Sequence, residues 1–285
     1  MVAHPFVKIN LGLDVLRKRE DGFHDIETVF VPSHEICDTL EIIRADDCSA
    51  TLFSIMDRYS ADKGQLIQSI SEDGKVMVTL ARQEGVDWLP LEDLTVKAYR
   101  LLEEDFPLGP VKIFLEKSAP VGAGLGGGSS DAAFALMMLN DIFGLGLGKE
   151  ELTGYAARLG SDCAFFLNDR PMHGSGRGEI LSGYELPQDF HERYEIRIVA
   201  PEGICVSTAD AYRGIVPQIP EVPLLSRLAL PVEEWKDQVT NAFEATVFRK
   251  YPALSGLKVS LYDSGAVYAS MSGSGSAFFA IYRRL

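Results

Sequence analysis

Residues 120–133 read PVGAGLGGGSSDAA, and this glycine-rich stretch decides what fold and chemistry to expect. Glycine carries no side chain to obstruct the backbone, so successive N–H groups can converge on phosphate oxygens. Two serines and an aspartate then open a run of alanine, leucine and methionine, which is typical of a helix N-terminus with positive potential. The stretch therefore predicts an anion cradle that leads directly into a helix.

Three other interpretations of this stretch are weaker. A flexible linker seldom runs straight into so strongly helical a segment. Gly122, Gly124 and Gly127 match the dinucleotide pattern GxGxxG, but in that fold the strand feeds directly into the first glycine, whereas residues 116–120 intervene here. A Walker A loop needs a lysine where this chain has glycine and serine. The nicotinamide interpretation is left as a minor alternative, and a phosphate site of another kind is favoured.

Composition and charge restrict the classes of partner. The chain has 285 residues, is 46% hydrophobic and carries a formal net charge of -14. A polyanion needs a basic face, so we expect no nucleic-acid partner. The longest apolar run, Ala132–Leu139, is too short to span a bilayer, and the N-terminal MVAHPFVKIN does not resemble a signal or transit peptide. A cytoplasmic enzyme without a membrane partner is predicted.

The cysteines point to the same compartment. Four are present, at Cys37, Cys48, Cys163 and Cys205. They are widely separated and have no CxxC spacing, so reduced thiols are expected rather than a disulfide framework or a metal site.

Hydrophobic periodicity predicts mainly strands in the first third of the chain and a mixture of helices and strands afterwards. Apolar residues alternate with polar ones over residues 7–15, which predicts a half-buried strand with Lys8 and Asn10 on its polar face. Further strands are predicted at 26–31, 39–43, 50–55, 76–80, 111–115, 173–181, 194–200 and twice within 266–282. Helices are predicted at 91–104, 130–143, 149–159 and 232–250. This order predicts an α+β fold in two lobes, with a boundary near residues 150–180.

Three motifs together resemble one superfamily of kinases. The glycine stretch resembles the ATP-binding motif of the galactokinase, homoserine kinase, mevalonate kinase and phosphomevalonate kinase superfamily. Residues 7–28, VKINLGLDVLRKREDGFHDIET, resemble the N-terminal motif of its 4-diphosphocytidyl-2-C-methyl-D-erythritol kinase branch. Residues 270–282, SMSGSGSAFFAIY, resemble the third motif, a glycine turn packed beside the nucleotide loop. The DGFH element separates this branch from the sugar and mevalonate kinases.

The resemblance implies both a fold and a reaction. The fold would have an active-site cleft between two lobes: an N-terminal ATP-binding lobe, residues 1–155, resembling domain 2 of ribosomal protein S5, and a C-terminal lobe, residues 156–285, which contributes to substrate binding and contains the third motif. The reaction would be ATP-dependent phosphorylation of the 2-hydroxyl of 4-diphosphocytidyl-2-C-methyl-D-erythritol, in the non-mevalonate route to isoprenoid precursors. The protein is expected to act as a monomer or homodimer on this small molecule.

Phosphoryl transfer asks a protein for positioning, charge stabilisation and a group that receives the hydroxyl proton. Asp162, in the run RLGSDCAFF, follows a predicted helix and precedes an apolar segment. On local features a helix cap is the alternative interpretation. The family match favours it as the catalytic base, with Lys8 as its electrostatic partner. Family mechanisms without full proton abstraction stay open.

The resemblance also implies the residues that bind the two substrates. The ATP-binding residues would be Lys117, Pro120, Gly122, Gly124, Leu125, Gly126, Gly127, Gly128, Ser129 and Ser130. The substrate-binding residues would be Asn10, Phe23, His24 and Tyr212, with cytosine between the two aromatic rings and the imidazole at its edge. Relatives usually have asparagine where this chain has Asp93, which accepts but cannot donate a hydrogen bond, so an adenine contact there is in doubt.

Magnesium is expected with ATP, because the metal neutralises phosphate charge during transfer. Its ligands cannot be assigned from the sequence, although Ser129 or Ser130 could contribute a hydroxyl. Two alternatives to the branch assignment remain: a kinase of the same superfamily that acts on mevalonate-like or sugar substrates, and a nucleotide-binding module without catalysis.

Overall fold

The first long strand, Phe6–Lys18, positions the candidate catalytic lysine. A computed structural model describes residues 1–284. Every residue from Phe6 to Val15 is buried. The prediction of an exposed polar face is therefore wrong: both faces of the strand are covered, and Lys8 and Asn10 are 3% and 1% exposed. Buried polar side chains of this kind must find hydrogen-bond partners inside the protein.

Twelve strands are described within residues 1–284. In chain order they are β1 (Val2–Ala3), β2 (Phe6–Lys18), β3 (His24–Cys37), β4 (Thr39–Arg44), β5 (Leu66–Ile70), β6 (Val76–Arg82), β7 (Val111–Lys117), β8 (Met172–Ser175), β9 (Ile180–Gly183), β10 (Tyr194–Val199), β11 (Tyr268–Met271) and β12 (Phe278–Arg283).

The same residues include ten α-helices. They are α1 (Leu52–Arg58), α2 (Leu94–Glu103), α3 (Gly127–Phe143), α4 (Lys149–Leu159), α5 (Phe190–Arg193), α6 (Thr208–Arg213), α7 (Leu224–Leu228), α8 (Trp235–Gln238), α9 (Glu244–Lys250) and α10 (Pro252–Asp263). Short 3₁₀ helices lie at Pro90–Glu92, Cys163–Leu167 and Val232–Glu234. None of the helices within residues 1–284 is long and apolar enough to cross a membrane.

The first compact unit comprises residues 1–7, 36–119 and 127–167. Its five-stranded sheet has the order β1-β4-β7-β6-β5, in which β6 and β7 are parallel and the other neighbours are antiparallel. Helices α2, α3 and α4 pack against one another, and α3 also packs on β4. The helix that follows the glycine stretch is thus fixed by the core of this unit.

The second compact unit comprises residues 8–35, 120–126 and 168 onward. It contains one sheet in the order β2-β3-β8-β9 and another in the order β10-β12-β11. Apolar side chains from β2, β3, α6, α9, α10, β11 and β12 form its main core cluster, against which Tyr212 packs. The α+β fold class is confirmed, and the functional division at residue 155 stays a prediction.

The strand predicted at residues 50–55 is wrong, because this segment opens helix α1. Glu41, on β4, accepts hydrogen bonds from the backbone N–H groups of Ala50 and Thr51 at 2.8 and 3.1 Å. The Thr51 hydroxyl adds a third bond at 2.6 Å. A carboxylate about ten residues away thus holds the turn from which the helix starts.

The single helix predicted at residues 232–250 is also wrong. The 3₁₀ helix Val232–Glu234 is followed directly by α8, which ends at Gln238, and α9 begins only at Glu244. In the interruption, Asn241 donates from Nδ2 to the carbonyl oxygens of Met271 and Gly273, at 2.7 and 2.8 Å. The strand predicted at 173–181 is a hairpin of β8 and β9, and helix α10 was not predicted.

Candidate active site

The loop Pro120–Gly126 has the backbone conformation of an anion cradle. Gly122, Gly124 and Gly126 have positive φ angles of 69°, 78° and 75°, and they alternate with residues of negative φ. This alternation turns successive backbone N–H groups toward one point, which is the geometry of an anion-binding nest. Among residues 1–284, the backbone N–H groups of Gly122–Gly126 donate no hydrogen bond to the chain. They are therefore available to a bound anion.

Lys8 donates hydrogen bonds to two carbonyl oxygens of this loop. Its backbone N–H donates to the Leu125 carbonyl oxygen at 2.9 Å, and its ammonium donates to the Gly124 carbonyl oxygen at 2.9 Å. The same ammonium donates to Oδ1 of Asn10 at 2.5 Å. A lysine that the sequence places on a solvated face is thus a buried cation fixed to the loop.

The third glycine motif holds the other side of the loop. The Ser272 hydroxyl donates to the Gly124 carbonyl oxygen at 3.0 Å, and the Ala277 N–H donates to the Ala123 carbonyl oxygen at 3.0 Å. A Cβ on Gly124 would lie 2.1 Å from the Ser272 carbonyl oxygen, so only glycine fits there. The sequence-based expectation that this motif packs beside the nucleotide loop is confirmed.

Helix α3 begins directly after the loop, three residues earlier than predicted. Ser130, in its first turn, and Asp131, the next residue, are 0% and 2% exposed. Ser130 Oγ and Asp131 Oδ1 have no hydrogen-bond partner among the described residues, although both atoms are buried. Buried polar atoms normally have partners, so these two oxygens point to a ligand that binds at this turn.

Lys117 lies between two carboxylates at the end of β7. Its ammonium donates to Asp38 Oδ2 and, at 2.5 Å, to Asp131 Oδ2. Asp38 Oδ1 accepts from the N–H groups of Ser118 and Ala119 at 2.6 and 2.8 Å. All three charged side chains are buried. They connect the junction of β3 and β4, the end of β7, and the N-terminal part of α3.

Burial raises the pKa of the Asp131 carboxyl well above its usual value, and the Lys117 ammonium offsets only part of that rise. Burial alone would lower the pKa of Lys117, but Asp131 and Asp38 outweigh it and raise that pKa above its usual value. Lys117 is therefore a charged structural group. Its predicted contact with the nucleotide stays a prediction.

Asp93 caps helix α2. Its Oδ1 accepts from the N–H and hydroxyl of Thr95 at 2.9 and 2.7 Å, and its Oδ2 accepts from Trp88 Nε1 at 2.9 Å. All three bonds need an acceptor, and a carboxylate provides acceptors on both oxygens. The unusual aspartate at this position thus has a local structural role.

Asp162 lies between the end of α4 and the buried 3₁₀ turn Cys163–Leu167. Its carbonyl oxygen accepts from the Phe165 N–H at 3.1 Å, and its side chain is half-buried. Burial raises the pKa of the adjacent Cys163 thiol to about 11, despite a hydrogen bond from Ser129. The thiol is therefore protonated at neutral pH, and the role of Asp162 as catalytic base stays a prediction.

His24 and Tyr212 stack on each other. Their ring centroids are 4.9 Å apart and the rings are inclined by 22°. Phe243 meets the Tyr212 ring edge-on at 4.8 Å. Phe23 is 52% exposed, and the guanidinium of Arg177 lies 4.9 Å from its ring centroid. The ring stacked on Tyr212 is thus His24, and Arg177 joins the group although the sequence did not indicate it.

Burial lowers the pKa of His24, and the positive charge of Lys18 lowers it further. The imidazole is consequently neutral at pH 7, with one nitrogen that donates and one that accepts a hydrogen bond.

The predicted site residues divide between the two compact units. The second unit holds Lys8, Asn10, Phe23, His24, Pro120, Gly122, Gly124, Leu125, Gly126 and Tyr212. The first unit holds Lys117, Gly127, Gly128, Ser129, Ser130 and Asp162. Pairing of Lys8 with Asp162 stays a prediction.

Comparison with known proteins identifies the family. The sequence matches the models for the GHMP kinases N terminal domain, over residues 93–169, and GHMP kinases C terminal, over residues 228–285. A 4-diphosphocytidyl-2-C-methyl-D-erythritol kinase from Bacteroides fragilis is 43% identical over 282 residues, covering 99% of this chain and 92% of that protein. The chain belongs to the 4-diphosphocytidyl-2-C-methyl-D-erythritol kinase family of GHMP kinases. It is accordingly an ATP-dependent small-molecule kinase.

Other family members and solved structures agree. The kinase of this family from Azobacteroides pseudotrichonymphae is 40% identical over 286 residues, covering 100% of this chain and 94% of that protein. A crystal structure of 4-(cytidine 5'-diphospho)-2C-methyl-D-erythritol kinase matches with a TM-score of 0.72 and 30% identity, over 98% of this chain and 89% of that one. Mevalonate kinase from Methanococcus jannaschii, at 12% identity and a TM-score of 0.59 over 99% of this chain and 91% of that one, shares the fold. The superfamily prediction and the ATP requirement are confirmed.

Proposed function

We propose that this kinase transfers the γ-phosphoryl group of ATP to the 2-hydroxyl of 4-diphosphocytidyl-2-C-methyl-D-erythritol, in the cytoplasm, in the non-mevalonate route to isoprenoid precursors. The proposal rests on one observation: three features occur together in the second compact unit. They are the glycine loop, the Lys8 ammonium bonded to that loop, and the stacked rings of His24 and Tyr212. The names of full-length relatives support the same substrate.

Recognition of the cytidine end rests on the aromatic rings of Phe23 and Tyr212 and on the neutral imidazole of His24. A flat base can stack on an exposed ring, and Phe23 offers such a ring next to His24. Because the His24 pKa is lowered, the neutral imidazole would keep one nitrogen that can accept from the cytosine amino group. A sugar or mevalonate has no aromatic face and would not stack on the Phe23 ring.

Transfer rests on the loop, Lys8 and Asp162. The convergent N–H groups of residues 122–126 would bind ATP phosphates, while the Lys8 ammonium would offset charge that develops on the transferring group. Asp162 would receive the proton of the acceptor hydroxyl.

Magnesium would enter with ATP. Within residues 1–284 there is no group of three or more His, Cys, Asp or Glu side chains that could hold a metal ion. Mg²⁺ commonly keeps several waters and uses one or two protein oxygens besides substrate phosphates. The unpartnered oxygens of Ser130 and Asp131 fit that role, and the bound metal would neutralise phosphate charge.

The test is a substrate panel. The purified protein, with ATP and magnesium, is assayed for ADP release with the cytidine substrate, mevalonate, galactose and homoserine. We expect turnover with the cytidine substrate alone. Phe23→Ala should weaken binding of that substrate by about 1–3 kcal/mol, whereas Phe53→Ala, at a phenylalanine that is 85% exposed, should not. Turnover with mevalonate or galactose, or ATP binding without any turnover, would contradict the assignment. Size-exclusion chromatography would distinguish a monomer from a homodimer.

A further inference from the structure

A chain of hydrogen bonds with one consistent direction leads from Thr28 to the Lys8 ammonium. The Thr28 hydroxyl donates to the Gly12 carbonyl oxygen at 2.6 Å. Having donated its only proton, the hydroxyl accepts from Nδ2 of Asn10 at 3.0 Å. The Asn10 amide is thereby oriented with Oδ1 toward Lys8 Nζ, 2.5 Å away.

The opposite orientation of the amide would be unfavourable at both ends. If the Asn10 amide were flipped, its NH₂ group would face the Lys8 ammonium, and two donors would meet without an acceptor. Its oxygen would face the Thr28 hydroxyl, whose proton is already donated to Gly12. The Thr28 hydroxyl and the Lys8 ammonium therefore favour the same orientation of the Asn10 amide, and Thr28 anchors the end of the amide that is remote from Lys8.

Water cannot easily replace these hydrogen bonds, because the three residues that make them are buried. Thr28, Asn10 and Lys8 are 0%, 1% and 3% exposed. Gly12, which accepts the first bond, is itself fixed: a Cβ there would lie 2.4 Å from a Leu224 methyl group. In a buried site a lost hydrogen bond leaves an unsatisfied group, and the neighbouring side chains must shift.

We propose that Thr28 is a positioning residue for phosphoryl transfer, which acts through Asn10 to hold the Lys8 ammonium against the glycine loop. The proposal rests on the role of Lys8 in the proposed function. Thr28 belongs to neither the glycine loop nor the predicted catalytic pair, and it needs no contact with either substrate.

The test compares Thr28→Val with Thr28→Ser. Valine keeps the shape and removes the hydroxyl, whereas serine keeps the hydroxyl and removes the methyl group. We expect kcat to fall about 10- to 100-fold in Thr28→Val, since a small misplacement of a catalytic group costs this much, with most of the rate retained in Thr28→Ser. The KM for ATP should change less than kcat. Equal loss of kcat in both variants would overturn the proposal.

Thr79→Val is the matched control. Thr79 is 1% exposed on β6, and its hydroxyl oxygen accepts from Gln68 Nε2 at 2.9 Å. Its replacement should lower the melting temperature without lowering the kcat of folded protein. If Thr28→Val behaves in the same way, Thr28 is merely structural. In an Asn10→Ala background, Thr28→Val should add little further loss of kcat, and a full additive loss would contradict an effect through Asn10.

A measurement independent of activity separates this proposal from the substrate assignment. The rate at which an amine-acylating reagent labels Lys8 is followed by mass spectrometry in wild type, Thr28→Ser and Thr28→Val. We expect faster labelling of Lys8 only in Thr28→Val, because the ammonium is then less firmly held. Unchanged labelling refutes the positioning role, whatever substrate the enzyme uses. Absence of turnover in wild type would instead refute the proposed function.

Discussion

Replacement of Lys117 by methionine tests the buried charge cluster at the end of β7. Methionine has nearly the same length, but it leaves the Asp38 and Asp131 carboxylates facing each other without a cation. Both carboxylates bond the Lys117 ammonium, and all three side chains are buried. Removing one partner of a buried ion pair typically costs about 3–5 kcal/mol. We expect the free energy of unfolding at pH 7.5 to fall by about this amount.

The loss of stability in Lys117→Met should be smaller at lower pH. Burial already raises the pKa of Asp131, and removing Lys117 raises it further. The folded variant then binds a proton that the unfolded chain releases, so its stability rises as the pH falls toward the carboxyl value of the unfolded chain. The slope is about 1.4 kcal/mol per pH unit for one proton, so roughly 2 kcal/mol should return between pH 7.5 and pH 6.

Urea denaturation at the two pH values measures both effects. Lys97→Met is the matched control, because Lys97 pairs with Glu92 at 3.0 Å but is 48% exposed. Loss of this exposed ion pair should lower the free energy of unfolding by less than about 1 kcal/mol at either pH. Lys117→Met combined with Asp131→Asn should be more stable than Lys117→Met alone. If Lys117→Met instead weakens ATP binding with no loss of stability, Lys117 binds the nucleotide and the structural explanation is refuted.

Three further predictions concern the loop, the base and the imidazole. Gly124→Ala should raise the KM for ATP at least about tenfold, because the added Cβ would lie 2.1 Å from the Ser272 carbonyl oxygen, whereas Gly154→Ala, with open space around it, should leave the KM unchanged. Asp162→Asn should lower kcat by about 10²- to 10⁴-fold, with ATP affinity by calorimetry nearly constant; near-normal kcat would refute its role as base. The KM for the cytidine substrate should be flat from about pH 8 to pH 6.5 and rise at lower pH, because a protonated His24 loses its acceptor. A flat profile down to about pH 5 would exclude this contact.

The parts of the structure that depend on local chemistry could be predicted from the sequence. The loop at residues 120–126 follows from glycine spacing, since positive φ at alternate positions is a property of glycine itself. Helix α4 and strands β4, β6 and β7 follow from periodicity. The two glycine motifs could be paired only through resemblance, because no local rule brings residue 124 to residue 272.

The parts that depend on distant partners could not be predicted. Residues 50–55 have the composition of a strand, but the Glu41 carboxylate on β4 bonds Ala50 and Thr51 in the turn that precedes helix α1. Asn241 interrupts a helical pattern because its amide bonds the turn at Met271 and Gly273. Lys8 looks solvated in an alternating strand, and only the tertiary structure shows that both faces are covered. In each case a tertiary contact, which the local pattern does not contain, overrides the preference of the segment.

A chain with a net charge of -14 can bind nucleotide phosphates because its attractive groups are local and oriented. The carbonyl oxygens of Ala123, Gly124 and Leu125, which would repel an anion, are all bonded to donors of the protein. Gly273 lets the third motif come this close, since a Cβ there would lie 3.0 Å from the Gly124 carbonyl oxygen and 3.3 Å from Lys8 Nζ. With the carbonyls occupied, the loop presents its N–H groups, and oriented dipoles in a dry site act more strongly than distant surface charge screened by salt. Gly273 therefore serves anion binding indirectly, because it lets Ser272 and Ala277 come close enough to bond the carbonyl oxygens of the loop.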